Sequence, residues 1–494
     1  MSNESTGRGP SGARSPAGSG ATDRTRRRFL ALAAAGVAGA GSVAGCTTTT
    51  STPTAGDGGG DGDADGGATT GPAGETATPT RPPHDVDRPL EEWPGHDPDW
   101  GAPTTSPLEA DLKAEVLVEN LEIPWDLAFA PDGTLFITER VGRVLQFDGD
   151  EVRTVAEPAG AIDAGSLEPG SDERPWWVKG GEGGTLGIAV HPRYPDPPHV
   201  FVYYTYRNEE DTKYNKVDVF DVKSDDPGTP VRTVVDGIPA NNYHNGGRVT
   251  FGPRNHLWVT CGDGGERGKV QDLTSYAGKI LRVTPDGDPA PGNPEYDDPD
   301  ADRRVFSYGH RNPQGVVWLP DGTAVASEHG PTGFDEINRL VAGHDYGWDT
   351  EDPAVREPGE YRESDVHPPL FTTGNTSFAP TGSLFYTGET VPALENRMVT
   401  GGLISQQLVV TTLTPSGGQL PPSEDAYAQV TDDWADGAYT ATVHTMFENE
   451  LGRVRHVEQG PEGDIYVCTS NRDGRAKEGF PREIDDVLVR IRPA

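Results

Sequence analysis

The chain has 494 residues and carries 78 Asp and Glu against 41 Lys and Arg, a formal net charge of −37. So negative a chain repels a phosphate backbone, which excludes nucleic acid as a default partner. Acidic groups spread throughout, with Arg preferred to Lys, fit a protein dissolved in concentrated salt, an acidic surface in ordinary salt being the alternative. Three cysteines are too few for a disulfide framework.

Arg26-Arg27-Arg28-Phe29-Leu30 precedes a small-residue apolar run, Ala31 to Ala44, the order of an export signal. The paired arginines point to the twin-arginine route. Val43-Ala44-Gly45-Cys46 looks like a lipobox, in which a lipid on Cys46 would hold the chain to the outer face of the cytoplasmic membrane. A non-cleaved anchor is the alternative, although the run is short and glycine-rich for a membrane span. Residues 47–110 are mainly Thr, Gly, Asp, Pro and Ser, which cannot bury enough surface to offset their ordering entropy, so a disordered tether is expected there. The folded domain is expected over residues 111–494. Cys261 and Cys468 lie in apolar, strand-like runs and read as small buried residues.

Beyond residue 110 one pattern recurs: an apolar strand, a turn of Pro, Asp, Asn or Gly, and a second apolar strand ending in polar residues. The copies begin near Trp125, Leu186, Arg248, Gly315, Ala379 and Val457. The fourth is the clearest, with Gly315 to Leu319, the turn Pro320-Asp321-Gly322, and Thr323 to Ser327. Six nearly all-β copies predict a six-bladed β-propeller of four-stranded antiparallel sheets, a pair of β-sandwiches being the alternative. In a propeller, loops from distant repeats converge on one axial hollow.

Polar motifs sit where the strands begin and end. Gly180-Gly181-Glu182-Gly183-Gly184 enters the second repeat and offers one carboxylate; it is not a phosphate loop, because no Lys-Ser/Thr follows. Asn241 to Arg248 enters the third with His244, a natural proton acceptor near neutral pH, although a histidine before a glycine turn is also a common capping residue. Asp263, in Cys261-Gly262-Asp263-Gly264-Gly265, reads as a turn residue rather than a ligand. Gly309 to Gly315 and Ser327 to Pro331, followed by Asp335-Glu336, flank the fourth hairpin at one end of its sheet. A fixed guanidinium, Arg311, beside Gly- and Pro-rich backbone and carboxylates suits an anionic ligand with a hard cation, or else an internal ion pair. Alternation sends Arg453 and Arg455 to one face, as a polycarboxylate or a solvated ion-pair face would require.

Together these motifs resemble the soluble quinoprotein glucose/sorbosone dehydrogenase family, also called aldose sugar dehydrogenases, over about residues 115 to 492. The resemblance implies pyrroloquinoline quinone (PQQ) and calcium as cofactors, an aldose as substrate, and an electron acceptor the sequence leaves unnamed. It makes His244 the base toward the anomeric hydroxyl during hydride transfer to the quinone. Arg311 would polarise the quinone carbonyl, Asn312 would hold the same edge, and Arg453 and Arg455 would clamp the cofactor carboxylates. Backbone carbonyls of Gly330 and Pro331 resemble ligands of a cofactor-bridging calcium, and Glu336 with the backbone of Tyr346 those of a second one. Glu182 stands where glucose-oxidising members use glutamine. One position departs: the family's cofactor-binding lysine after Gly-small-Leu is here Ile404, following Gly401-Gly402-Leu403. That departure keeps a non-catalytic, calcium-stabilised propeller that binds carbohydrate or protein as the alternative, with a calcium-dependent propeller hydrolase as a third.

Overall fold

The computed structural model describes residues 88–162, 181–348, 358–477 and 479–494. They form six antiparallel sheets in sequence, the six-bladed propeller expected. The inner strands are Pro124–Phe129, Thr185–Val190, Val249–Phe251, Pro313–Trp318, Pro380–Tyr386 and Val454–Gln459. The ring closes by sharing a blade between the two ends of the domain: Leu112–Val118 pairs antiparallel with Leu488–Pro493 and becomes the outer strand of the sixth sheet. The fifth blade departs from four strands, adding the short strand Ala428–Gln429.

The repeated turn explains the repeated sequence. In the first blade Gly133 N–H donates to Ala130 O (2.9 Å) and Ala130 N–H to Thr134 O (2.8 Å). The same pair of bonds joins Gly322 to Leu319 and Leu319 to Thr323, and likewise Gly463 to Gly460 and Gly460 to Asp464. The residue that closes the turn lies in the left-handed region, φ 88° at both Gly133 and Gly322 and 85° at Gly463, where a Cβ is costly. In the third blade Asn255 takes that place at φ 58°, asparagine being the side chain that best tolerates it.

Six buried apolar clusters lie one at each interface between adjacent blades. Trp258 and Ile280 of the third blade meet Val316 and Ala326 of the fourth, for example. Cys261 and Cys468 are buried and unbridged within these clusters. Burial of this kind, worth about 25 cal/mol per Å² of apolar surface, is what holds the ring.

Export signal, Cys46 and the first part of the tether fall on residues 1–87, outside the described residues. Residues 88–110 differ from the expected tether, because they lie along the blades. Arg88 Nε donates to Pro253 O (3.1 Å), Asp97 N–H to Pro320 O (3.0 Å), and Arg397 Nη2 to Thr105 O (2.6 Å). Trp100 packs edge-on against Phe385 at 5.6 Å. Two well-placed apolar groups, Leu90 against the Gly322 turn and Trp100 on a core cluster, anchor a segment whose composition otherwise reads as solvated. This strap touches the turns after the inner strands, the face opposite the motifs that precede those strands. Among the described residues no helix is long and apolar enough to cross a membrane.

Candidate active site at the axial hollow

Where the inner strands begin, all six blades contribute to one cavity of about 330 Å³. Trp125, Glu182, Gly246, Gln314, Leu403 and Arg455 give one wall residue from each blade in turn, joined by Asn245, His329, Ala379, Ile404, Arg453, Arg475 and Lys477. His244, Arg311 and Asn312 are outside this wall but bonded to it. His244 N–H donates to Glu182 Oε2 (3.1 Å), Asn312 Oδ1 accepts from Gly246 N–H (3.0 Å), and Arg311 Nη1 donates to His329 O (3.1 Å).

His244 sits on a backbone turned to φ 56°, followed by Gly246 at 62° and Gly247 at 112°. A Cβ on Gly246 would stand 2.4 Å from Thr260 O, so the loop folds this tightly only with glycine there. The imidazole Nδ1 donates to Asp263 Oδ1 (2.8 Å), and the other oxygen of that carboxylate accepts from Trp348 Nε1 (2.8 Å). Burial alone would raise the Asp263 carboxyl, but the His244 hydrogen bond and charge, with the Gly265 N–H and Trp348, hold it below the ordinary range. Asp263 N–H also donates to Arg311 O (2.8 Å), and the Arg311 guanidinium lies 5.4 Å from the Trp348 ring. One residue thus joins the imidazole to the arginine. Asp263 is therefore an orienting partner rather than only a turn residue; the available signal was its place just past a second strand, where Glu139 and Glu328 end theirs.

Glu328 accepts from Arg311 N–H, and its second oxygen from His310 Nδ1 (2.8 Å). Glu139 accepts in the same way from Glu122 N–H ahead of the first inner strand. Arg311 Nε has no hydrogen-bond partner among the described residues although it is buried. Asn312 has its amide oxygen engaged by Gly246, with Gln314 Nε2 donating to Gly246 O (3.0 Å). In this structure the oxygen ties the fourth blade to the His244 loop.

Arg453 and Arg455 both reach the cavity but stand differently. Arg453 donates twice to Asp473 Oδ2, at 3.0 and 2.7 Å, and once to Leu403 O (3.1 Å). Arg455, 8% exposed, donates from Nη1 to Gln314 Oε1 (3.3 Å), faces the Trp125 ring at 5.8 Å, and leaves Nε without a partner among the described residues. Burial pulls its guanidinium down to about 9. Asp473 and Glu182 offset this only in part; a buried cation that touches no carboxylate is costly, and an anionic ligand in the cavity would offset that cost. The donor set therefore fits a cofactor that carries carboxylates.

Glu182 Oε1 accepts from Arg475 Nη1 (2.8 Å). Burial would raise this carboxyl; Arg475, with His244 and His329 behind it, outweighs burial and holds it at about 2. Glu182 is therefore a carboxylate at neutral pH, able to accept a hydrogen bond but not to donate one. Burial pushes His329 down to about 4, so this ring is neutral; its Nε2 donates to Pro380 O (2.7 Å).

Gly330 and Pro331 open a tight loop with Thr332, Gly333 and Phe334 all at positive φ. A Cβ on Gly330 would lie 2.1 Å from Phe334 O. Asp335 closes the loop: its Oδ1 accepts from Gly330 N–H (3.0 Å) and its Oδ2 from Phe378 N–H (2.7 Å) and Ala379 N–H (2.8 Å). Glu336 accepts from Tyr361 OH (2.5 Å) and Asn338 Nδ2 (3.1 Å), and burial together with Glu328 pushes it up to about 8. Tyr346 stacks on His310 at 4.5 Å, and His310 binds Glu328, so Tyr346 and Glu336 flank the same buried carboxylate. Among the described residues no three His, Cys, Asp or Glu gather as a metal cluster. Carbonyl and carboxylate oxygens are nevertheless the donors calcium prefers, and a cation would relieve the pressed Glu328 and Glu336 pair.

The aldose sugar dehydrogenase YliI of Escherichia coli K12 is 28% identical over 396 residues, covering 78% of this chain and 95% of that protein. Quinoprotein glucose dehydrogenase B of Acinetobacter calcoaceticus is 28% identical over 286 residues, covering 50% and 55%. The PQQ-bound aldose sugar dehydrogenase of Streptomyces coelicolor superposes with a TM-score of 0.59 at 29% identity, over 78% of this chain and 98% of that one. The family model for glucose/sorbosone dehydrogenases matches residues 121–478, most of the propeller, and on that match the chain belongs to the glucose/sorbosone dehydrogenase family.

Proposed function

We propose that the protein is a PQQ- and calcium-dependent dehydrogenase that oxidises the anomeric carbon of an aldose to the lactone and passes the electrons to a separate acceptor. The observation that carries this reading is Arg455, a buried guanidinium that hydrogen-bonds no carboxylate, in the wall of a cavity that adjoins an Asp-oriented histidine. When bound, the quinone supplies a two-electron acceptor for hydride leaving the sugar.

The chain's own residues do the rest. Asp263 accepts from Nδ1 of His244, which fixes the tautomer and leaves Nε2 as the acceptor for the anomeric hydroxyl proton. Arg311 brings positive charge beside the site, where negative charge gathers during transfer. Arg455 would bind a cofactor carboxylate, Arg453, paired with Asp473, would stand beside it, and Asn312 steadies the loop that presents His244. Gly330 and Pro331 would hold a calcium acting as a Lewis acid, and Glu336 with the Tyr346 backbone a structural one. Glu182, ionised and half-exposed, would accept from a sugar hydroxyl and bias the choice of sugar.

Reconstituting purified apo-protein with PQQ and calcium tests this, with dye reduction followed over a panel of aldoses. Turnover is expected with at least one sugar, and His244→Ala is expected to lower kcat by about 10²- to 10⁴-fold. No cofactor absorbance and no turnover with any sugar would overturn the reading. We propose further that the enzyme is exported by the twin-arginine route and lipid-anchored through Cys46, supported by the Arg26-Arg27 and Val43-to-Cys46 motifs. In native cells Cys46→Ala should then move the protein from the membrane fraction to the medium; retention on the membrane would count against the anchor.

A further inference from the structure

Four cationic side chains line the cavity, and two of them have their charge met within the protein: Arg453 by Asp473, and Arg475 by Glu182. Arg455 bonds to Gln314 rather than to a carboxylate, with the Asp473 and Glu182 charges acting on it only at a distance, and Lys477 is in no salt bridge among the described residues. Arg455 is buried in the sixth inner strand. Lys477 is exposed, on the loop that follows the next strand, Ile465–Thr469. A single anionic group at Arg455 would leave the lysine unanswered. Water serves the exposed ammonium when no ligand is bound, but two separate cations on one small hollow also fit a ligand that carries two anionic groups.

The position of Lys477 is built. Its backbone N–H donates to Gln406 Oε1 (2.9 Å). Gln406 is 3% exposed and is held from both sides by Asn449, whose N–H donates to Gln406 O (2.9 Å) and whose Oδ1 accepts from Gln406 Nε2 (3.2 Å). The fifth-blade loop that carries Ile404 therefore grips the sixth-blade loop that carries Lys477, and both residues line the same hollow. Ile404 is 45% exposed there, an apolar group that offers nothing to an anion.

We propose that Lys477 supplies, from the neighbouring blade, the ammonium that position 404 lacks, so that the cavity takes its cofactor by carboxylates at two places, Arg455 and Lys477. This rests on the quinone reading above and deepens it: the binding set has been rebuilt across a blade boundary rather than lost.

The test titrates the full-length apo-protein with PQQ in the presence of calcium, reading bound cofactor by equilibrium dialysis and absorbance rather than by turnover. Lys477→Met should weaken binding by about 10- to 100-fold, the range of a charge-assisted hydrogen bond. Ile404→Lys in that background should restore most of the loss. The wild-type affinity should also fall more steeply with added salt than that of Lys477→Met, because a charge contact is screened. Lys477→Gln serves if the methionine variant fails to fold. Wild-type binding left unchanged by either Lys477 substitution, or a double variant that recovers nothing, would overturn the proposal and leave the quinone reading standing. A wild-type chain that does not bind PQQ would overturn both.

Discussion

In the fourth blade one carboxylate close in the chain fixes His310 and the Arg311 backbone, while in the sixth the loop that carries Arg475 and Lys477 is fixed by residues of other blades. Glu328 reaches Arg311 N–H 17 residues back and His310 18 residues back. Arg475 reaches Glu182 over 293 residues, and Lys477 reaches Gln406 over 71. The first arrangement can assemble as soon as one hairpin forms. The second exists only after the blades have closed, since non-local contacts must first offset the loop entropy they remove. The difference separates a scaffold element from an adjustable rim. It also predicts unequal costs of breaking each.

The larger cost belongs to the fourth blade. Glu328→Ala would leave the buried Arg311 N–H and His310 Nδ1 without acceptors, and each such group costs about 1–3 kcal/mol. Urea unfolding should show a loss of about 3 kcal/mol with little change in slope. A loss below about 1 kcal/mol would mean that the carboxylate is not the clamp described, and would erase the contrast between the two blades.

The same contrast explains what could be read from the residues alone. The propeller was legible because one hydrogen-bonded turn recurs, with Gly133, Gly322 and Gly463 in the same strained place. His244, Glu182, Arg453 and Arg455 were legible because position in a repeat places them at one rim. Asp263 was harder to single out, since its one local signal, a place just past a second strand, does not by itself tell an orienting carboxylate from a turn residue; its partners, His244 and Trp348, lie 19 and 85 residues away. Arg475 and Lys477 stand in a loop with no motif of its own, and their role depends on Glu182 and Gln406 from other blades. Composition marks the strap of residues 88–110 as tether because it averages over the few side chains, Trp100 among them, that do the anchoring.

The smaller cost belongs to the rim. Arg475 and Glu182 are 40% and 31% exposed, so the pair is screened and worth only about 0.5–1 kcal/mol. Its pH dependence is nevertheless distinctive. The folded carboxyl, at about 2, lies below its ordinary 4.5, so between those values the unfolded chain binds the proton that the folded one refuses. The stability from this group is fully present above pH 4.5 and is lost as pH falls through about 2. In Arg475→Ala the first counter-charge is gone while burial still acts, so Glu182 should titrate at higher pH and the loss should begin earlier. Urea unfolding at pH 7 should show at most about 1 kcal/mol between wild type and variant, and added salt should shrink that gap. A deficit at pH 7 as large as that of Glu328→Ala would show that the sixth-blade loop, too, belongs to the scaffold.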